Sequence, residues 1–150
     1  MDKVILEKLK NKPPLPDDIT KVITIQARLF GSCLFGGFTQ DSDFDFIIPP
    51  NFPYSWLELS QYGVVNQVDD YSNMELSSIY VRSKSGKILN LLFIHDNFYD
   101  IYLEATDIMV KIVDNPKIHN LIQNKTNRIA LFQTIKEMLV EEECNKPVKE

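Results

Sequence analysis

The spacing of apolar residues shifts along the chain, and each shift predicts a different element. Residues 2–10 place Val4, Ile5 and Leu9 on one side of a short helix, before Pro13-Pro14-Leu15-Pro16-Asp17-Asp18 interrupts regular structure as a connector. The β-branched run 22–30 (VITIQARLF) predicts a strand that runs into Gly31. In 43–48, Asp43, Asp45 and Ile47 alternate with Phe44, Phe46 and Ile48, which is the period of a strand, and Pro49-Pro50 ends it. Ser55 with Glu58 three residues later forms a capping box that opens a short helix, with Gly63 expected to close it. Residues 76–83 and 88–94 predict two antiparallel strands joined through Lys84-Ser85-Gly86-Lys87. After His95 the period becomes helical. Phe98, Tyr102, Ala105 and Met109 form one stripe, and Ile129, Phe132, Ile135 and Leu139 form another. Glu141, Glu142 and Glu143 oppose the helix dipole at a C-terminus, so the last helix is expected to fray there.

Strands and helices mixed first, then a helical segment, predict an α+β fold with a small mixed or antiparallel sheet and flanking helices. One domain is expected over 1–150: an N-terminal helix and Pro-rich connector (1–20), a sheet core (21–95), a helical part (96–145) and a tail (146–150). A content of 44% apolar and 25% charged residues is ordinary for a globular chain able to bury its own core. Cys33 and Cys144 show neither metal-ligand spacing nor a disulfide framework, which suits a reducing compartment. No apolar run reaches the ~20 residues of a membrane span, and no signal peptide opens the chain, so a cytoplasmic protein with no membrane partner is expected.

The net charge of −5 argues against tight nonspecific binding to nucleic acid, which depends on Lys and Arg meeting phosphates. Nucleic acid remains a conceivable partner through local patches: Lys3, Lys8, Lys10 and Lys12, or Arg82, Lys84 and Lys87, each equally readable as a solvated face. His95 and His119 have no partner pattern for acid–base or metal work, and Cys33 reads as a small apolar residue.

The chemistry concentrates in residues 31–45, GSCLFGGFTQDSDFD. Side chains at i and i+2 of a strand leave the same face, so Asp43 and Asp45 can reach one Mg²⁺ or Mn²⁺, hard cations suited to carboxylates and triphosphate. Gly31-Ser32 would open a helix whose free N–H groups can receive a phosphate. Gly31 allows close approach, and Gly36 or Gly37 permits the turn before the carboxylate strand. On the alternative reading Asp41 and Asp43 are turn residues; that accounts poorly for Asp45, because Asp is disfavoured within a strand.

Gly31-Ser32, Gly36 or Gly37, and then Ser42-Asp43-Phe44-Asp45 resemble the signature of the polymerase-β-like nucleotidyltransferase superfamily. The resemblance implies a nucleotidyltransferase-like fold, nucleotide binding by Gly31, Ser32, Gly36, Gly37 and Ser42, and Mg²⁺ ligation by Asp43 and Asp45. It implies transfer of a nucleotide from an NTP to a hydroxyl on an RNA end, a protein or a small molecule.

The chain departs from that pattern in two places. Active members carry a third carboxylate on a later strand, and here the matching position in 88–94 (ILNLLFI) is Asn90, whose amide oxygen can ligate a metal but cannot act as a base. Asp96, Asp69 and Asp70 are candidate substitutes and are also plain cap or turn residues. Many small relatives have Arg where this chain has Phe35; Arg28 and Arg82 remain as phosphate partners or surface ion-pair residues. The strand NLLFI, the helix holding Ala105-Thr106 and the stretch NKTNRIALFQ (124–133) are similar to small bacteriophage-encoded nucleotidyltransferase-like proteins, which implies a host-cytoplasm setting. In that stretch Lys125 and Arg128 either face the nucleotide or simply start a helix capped by Thr126. If catalysis has been lost with the third carboxylate, the chain becomes a binding protein acting on a host factor. A homodimer or a helical protein partner is also conceivable, through the stripe of the last helix.

Overall fold

A computed structural model describes residues 3–36, 42–66, 75–122 and 124–145, and their strands form a single sheet against which helices pack. In chain order the elements are α1 (Lys3–Leu9), α2 (Asp17–Gln26), β1 (Arg28–Phe30), α3 (Ser32–Phe35), β2 (Phe44–Ile47), α4 (Trp56–Ser60) and β3 (Gly63–Asn66). They continue with β4 (Leu76–Arg82), β5 (Ile88–Ile94), α5 (Asp96–Val113), a 3₁₀ turn (Pro116–Ile118), α6 (His119–Ile122) and α7 (Lys125–Cys144). The architecture is α+β: a mixed five-stranded sheet in the order β1-β2-β5-β4-β3, with helices on both faces and a long C-terminal helix.

The β4–β5 hairpin forms where the alternation is clearest, and it pairs antiparallel from Leu76↔Ile94 to Arg82↔Ile88. β5 also pairs in parallel with β2, and this register sets Asp45 opposite Asn90. On the outer sides Phe30 of β1 lies opposite Asp45, and Tyr80 of β4 lies opposite Asn90. One transverse row therefore reads Phe30, Asp45, Asn90, Tyr80.

Alternation sorts the core into two layers. Phe30, Ile47, Leu76, Leu92 and Ile94 face Phe35 of α3, Tyr102, Ala105 and Met109 of α5, and Phe132 and Ile135 of α7. Ile48, Ile79, Val81, Leu89 and Leu91 face Leu15, Ile19 and Ile23 around α2 and Leu59 of α4. Each large side chain so buried contributes about 1.5–3 kcal/mol. Phe30 is the hub of an aromatic cluster, edge-on to Phe35 and Phe132 at centroid distances of 5.3 and 5.1 Å. Since Phe30 immediately precedes Gly31, this cluster pins α3 and α7 beside the row that holds Asp45.

Several expectations change. The strand expected over 22–30 is mostly helix: α2 takes Asp17–Gln26, and only Arg28–Phe30 is extended. Ile19 and Ile23, one helical turn apart, are both buried against the sheet, and Asp17 and Asp18 supply the acidic first turn. This amphipathic burial outweighs the β-preference of Val22, Ile23, Thr24 and Ile25. The helix closed at Gly63 is also revised. The capping box of Ser55 and Glu58 forms as expected, but α4 ends at Ser60 and Gly63 begins β3. A Cβ on Gly63 would stand 2.5 Å from the Tyr80 carbonyl oxygen, so close strand contact is what requires glycine there. The cap of α7 is Asn124 rather than Thr126: its Oδ1 accepts from the N–H groups of Thr126 and Asn127 at 2.8 and 3.3 Å. The helix continues through Glu141–Glu143 to Cys144.

Candidate functional site

Asp45 is the second residue of β2 and shares the face of Ile47, the face that α5 and α7 cover. At the end of β1 the backbone turns sharply at Gly31, where φ is +74°. A Cβ on Gly31 would collide with Asp45 Oδ2, so glycine is required both by the conformation and by the carboxyl group lying against it. Ser32–Phe35 then make one helical turn, in which Leu34 and Phe35 N–H donate to the Gly31 carbonyl at 3.0 and 2.9 Å. The N–H groups of Ser32 and Cys33 stand at the open start of that turn. Gly36 ends it at φ +116°, a conformation that favours glycine. Gly37 and Asp41 lie outside the described residues, as do Asp69 and Asp70.

Ser42 and Asp43, both half-buried, lead into β2, and Asp43 hydrogen-bonds Asp45 two residues on. Burial, first of all, and then the negative charge and hydrogen bond of Asp43 hold the Asp45 carboxyl well above the ordinary carboxylate range. A hydrogen bond from the Asn90 side chain and the positive charge of Lys125 act in the opposite direction. The Cys33 thiol is pushed up by its burial and, secondarily, by the charge of Asp45, so the turn and the carboxyl group are electrostatic neighbours.

Two acceptors in this row have no protein partner among the described residues: Asp45 Oδ1 and Asn90 Oδ1, both buried. Buried polar atoms are almost always paired, and leaving one unpaired costs about 1–3 kcal/mol. On neighbouring strands, ~4.8 Å apart, and beside Asp43, they form an all-oxygen donor set. Such a set fits a hard divalent cation and would suit a soft one poorly. Among the described residues no three His, Cys, Asp or Glu side chains converge on one point, so the carboxylates number two.

The structure thus brings Gly31, Ser32, Asp43, Asp45 and Asn90 together and adds Lys125 from the start of α7. Others go elsewhere. Asp96 is no substitute for a third carboxylate: it opens α5 past the far end of β5 and lines a different cleft. Arg28 pairs with Asp107 at 2.7 Å, and Arg82 donates to the Lys12 carbonyl at 3.2 Å. Arg128 donates to the Ile122 carbonyl at 2.9 Å, tying α7 to α6.

The Asp96 cleft holds a feature absent from the sequence reading, a buried ion pair between Lys136 Nζ and Glu75 Oε2 at 2.8 Å, with side chains 7% and 10% exposed. The Tyr102 hydroxyl lies 3.4 Å from the same carboxylate oxygen. A signal was present, since Lys136 sits within the stripe of Phe132, Ile135 and Leu139, where a charge needs a partner. Tyr80, opposite Asn90, was likewise unforeseen, because strand register is invisible before the sheet is assembled. Among the described residues no helix is long and apolar enough to cross a membrane. No family model matches the chain, and no curated protein and no solved structure matches it.

Proposed function

We propose that this chain is a Mg²⁺-dependent nucleotidyltransferase of the polymerase-β-like kind, which moves a nucleotide from an NTP to a hydroxyl acceptor. The observation that carries the reading is the pair of buried, unpartnered oxygens on Asp45 and Asn90, set beside Asp43 and against the Gly31-Ser32 turn. Asp43 and Asp45 would hold the metal, which would supply positive charge against the triphosphate. The N–H groups of Ser32 and Cys33 and the Ser32 hydroxyl offer donors to the triphosphate, and Lys125 offers a cation. In the reaction the acceptor oxygen bonds the α-phosphorus and gives its proton to solvent, the bond from that phosphorus to the bridging oxygen breaks, and pyrophosphate leaves. Asn90 can orient groups in this site but cannot take the hydroxyl proton near neutral pH. The test is incubation with α-labelled NTPs, Mg²⁺ or Mn²⁺ and cell lysate. Label moving into an acceptor is expected; no transfer, or equal transfer by Asp45→Ala, refutes the activity.

Asn90 itself favours a second reading, a protein that binds nucleotide without turning it over and acts on a host factor, as the similarity to phage-encoded proteins implies. Calorimetry separates the two. Binding of ATP–Mg²⁺ that collapses in Asp43→Asn, with no label transferred, supports the binding protein.

A further inference from the structure

Asn90 is 8% exposed, and its carboxamide hydrogen-bonds Asp45. Its oxygen has no donor among the described residues. In a strand otherwise built from Ile88, Leu89, Leu91, Leu92, Phe93 and Ile94, an apolar residue would fill the position without leaving an orphaned acceptor. The register places Asn90 opposite Asp45, whose own Oδ1 is buried and has no partner among the described residues either. A cation would satisfy both acceptors.

Formal charge then limits what the site can hold. Asp43 and Asp45 contribute −2 when ionised and the neighbouring Lys125 ammonium +1, so these described residues supply −1. One divalent ion takes the site to +1. A second would take it to +3 in a buried setting, where like charges repel strongly. Among the described residues no third carboxylate converges there to offset it.

We propose that Asn90 is a direct ligand, through its amide oxygen, of a site for a single divalent cation formed with Asp43 and Asp45. The site binds one ion per chain when nucleotide is absent. Any second ion enters with the triphosphate, whose own oxygens and negative charge supply what the protein lacks. This rests on the reading of the pocket as a metal and nucleotide site, with the amide oxygen of Asn90 standing where active members carry a third carboxylate and the substrate completing the site.

The experiment is titration of the full chain with Mn²⁺ alone, followed by calorimetry and by the loss of the free Mn²⁺ paramagnetic resonance signal. One Mn²⁺ per chain is expected. Asn90→Leu, branched at Cγ in the same way and without a donor oxygen, should weaken binding tenfold or more while its thermal melt stays cooperative. Asn90→Asp should bind Mn²⁺ at least tenfold tighter or take up a second ion, and it keeps the test valid if Asn90→Leu fails to fold. Two ions bound by the unaltered chain without nucleotide, or unchanged affinity and stoichiometry in Asn90→Asp, overturns the proposal. The two claims fail separately: one Asn90-dependent Mn²⁺ without label transfer leaves this site standing and removes the transferase. Transfer with Asn90-independent binding does the reverse.

Discussion

Gly31→Ala is the sharpest perturbation of the site, because two independent constraints meet at that residue. The backbone there has φ +74° and ψ −152°, a region essentially reserved for glycine; forcing another residue into it costs about 1–3 kcal/mol. The added Cβ would also coincide with Asp45 Oδ2, so the carboxyl group must move. Its surroundings are filled by Asn90 and Asp43, and overpacking of this kind costs about 1–3 kcal/mol more. A combined destabilisation of ~4 kcal/mol lowers the melting midpoint by ~8–16 °C for a chain of this size. Moving Asp45 also disturbs the donor set, and a loss of about 10–100-fold in Mn²⁺ affinity is expected. Thermal melts followed by circular dichroism and Mn²⁺ titration measure both effects, with Ser32→Ala as a control that leaves the glycine in place. A Gly31→Ala protein that melts within ~2 °C of the parent and binds Mn²⁺ equally well would refute the claim that this turn abuts Asp45.

Two further outcomes follow from charges in the fold. The raised Asp45 carboxyl means that the folded state favours its protonated form. In metal-free buffer its stabilising contribution is therefore complete below the ordinary carboxylate value of ~3.9 and is lost as pH rises toward the folded-state value. Asp45→Asn should flatten that fall and melt higher than the parent at neutral pH without metal; a parallel pH profile for the two proteins would contradict the assignment. In the other cleft, Lys136→Met leaves the Glu75 carboxylate buried without its ammonium and should cost about 3–5 kcal/mol, whereas Lys136→Met with Glu75→Leu should recover most of it. Urea unfolding of the single and double variants decides this, and an unaltered midpoint in the single variant would show the pair to be energetically idle.

Much of the fold was legible where a local period and its burial agree. The β4–β5 hairpin, the stripes of α5 and α7 and the Ser55–Glu58 box appear where their spacing predicts, whereas the strand expected over 43–48 is β2, Phe44–Ile47, with Asp45 in it and Asp43 just ahead of it. The failures have a common cause. Val22, Ile23, Thr24 and Ile25 prefer strands in isolation, yet Ile19 and Ile23 gain more by packing against Ile79 and Leu91 as one face of α2. Gly63 resembles a helix stop until Tyr80 occupies the space where a side chain would go.

The candidate site divides along the same line. By itself the sequence determined the ingredients: a Gly-Ser turn, two aspartates spaced i, i+2 at the start of a strand and an asparagine on a later apolar strand. These follow from chain chirality and side-chain period, which act over a few residues. Only the tertiary structure decided that Asn90 stands opposite Asp45, that Gly31 lies against its carboxyl group and that Lys125 reaches it from the last helix. Parallel pairing of β2 with β5 and the aromatic cluster on Phe30 impose those contacts. Pairing and packing depend on the whole core, so the buried, orphaned oxygens of Asp45 and Asn90 exist only once the sheet has closed around them.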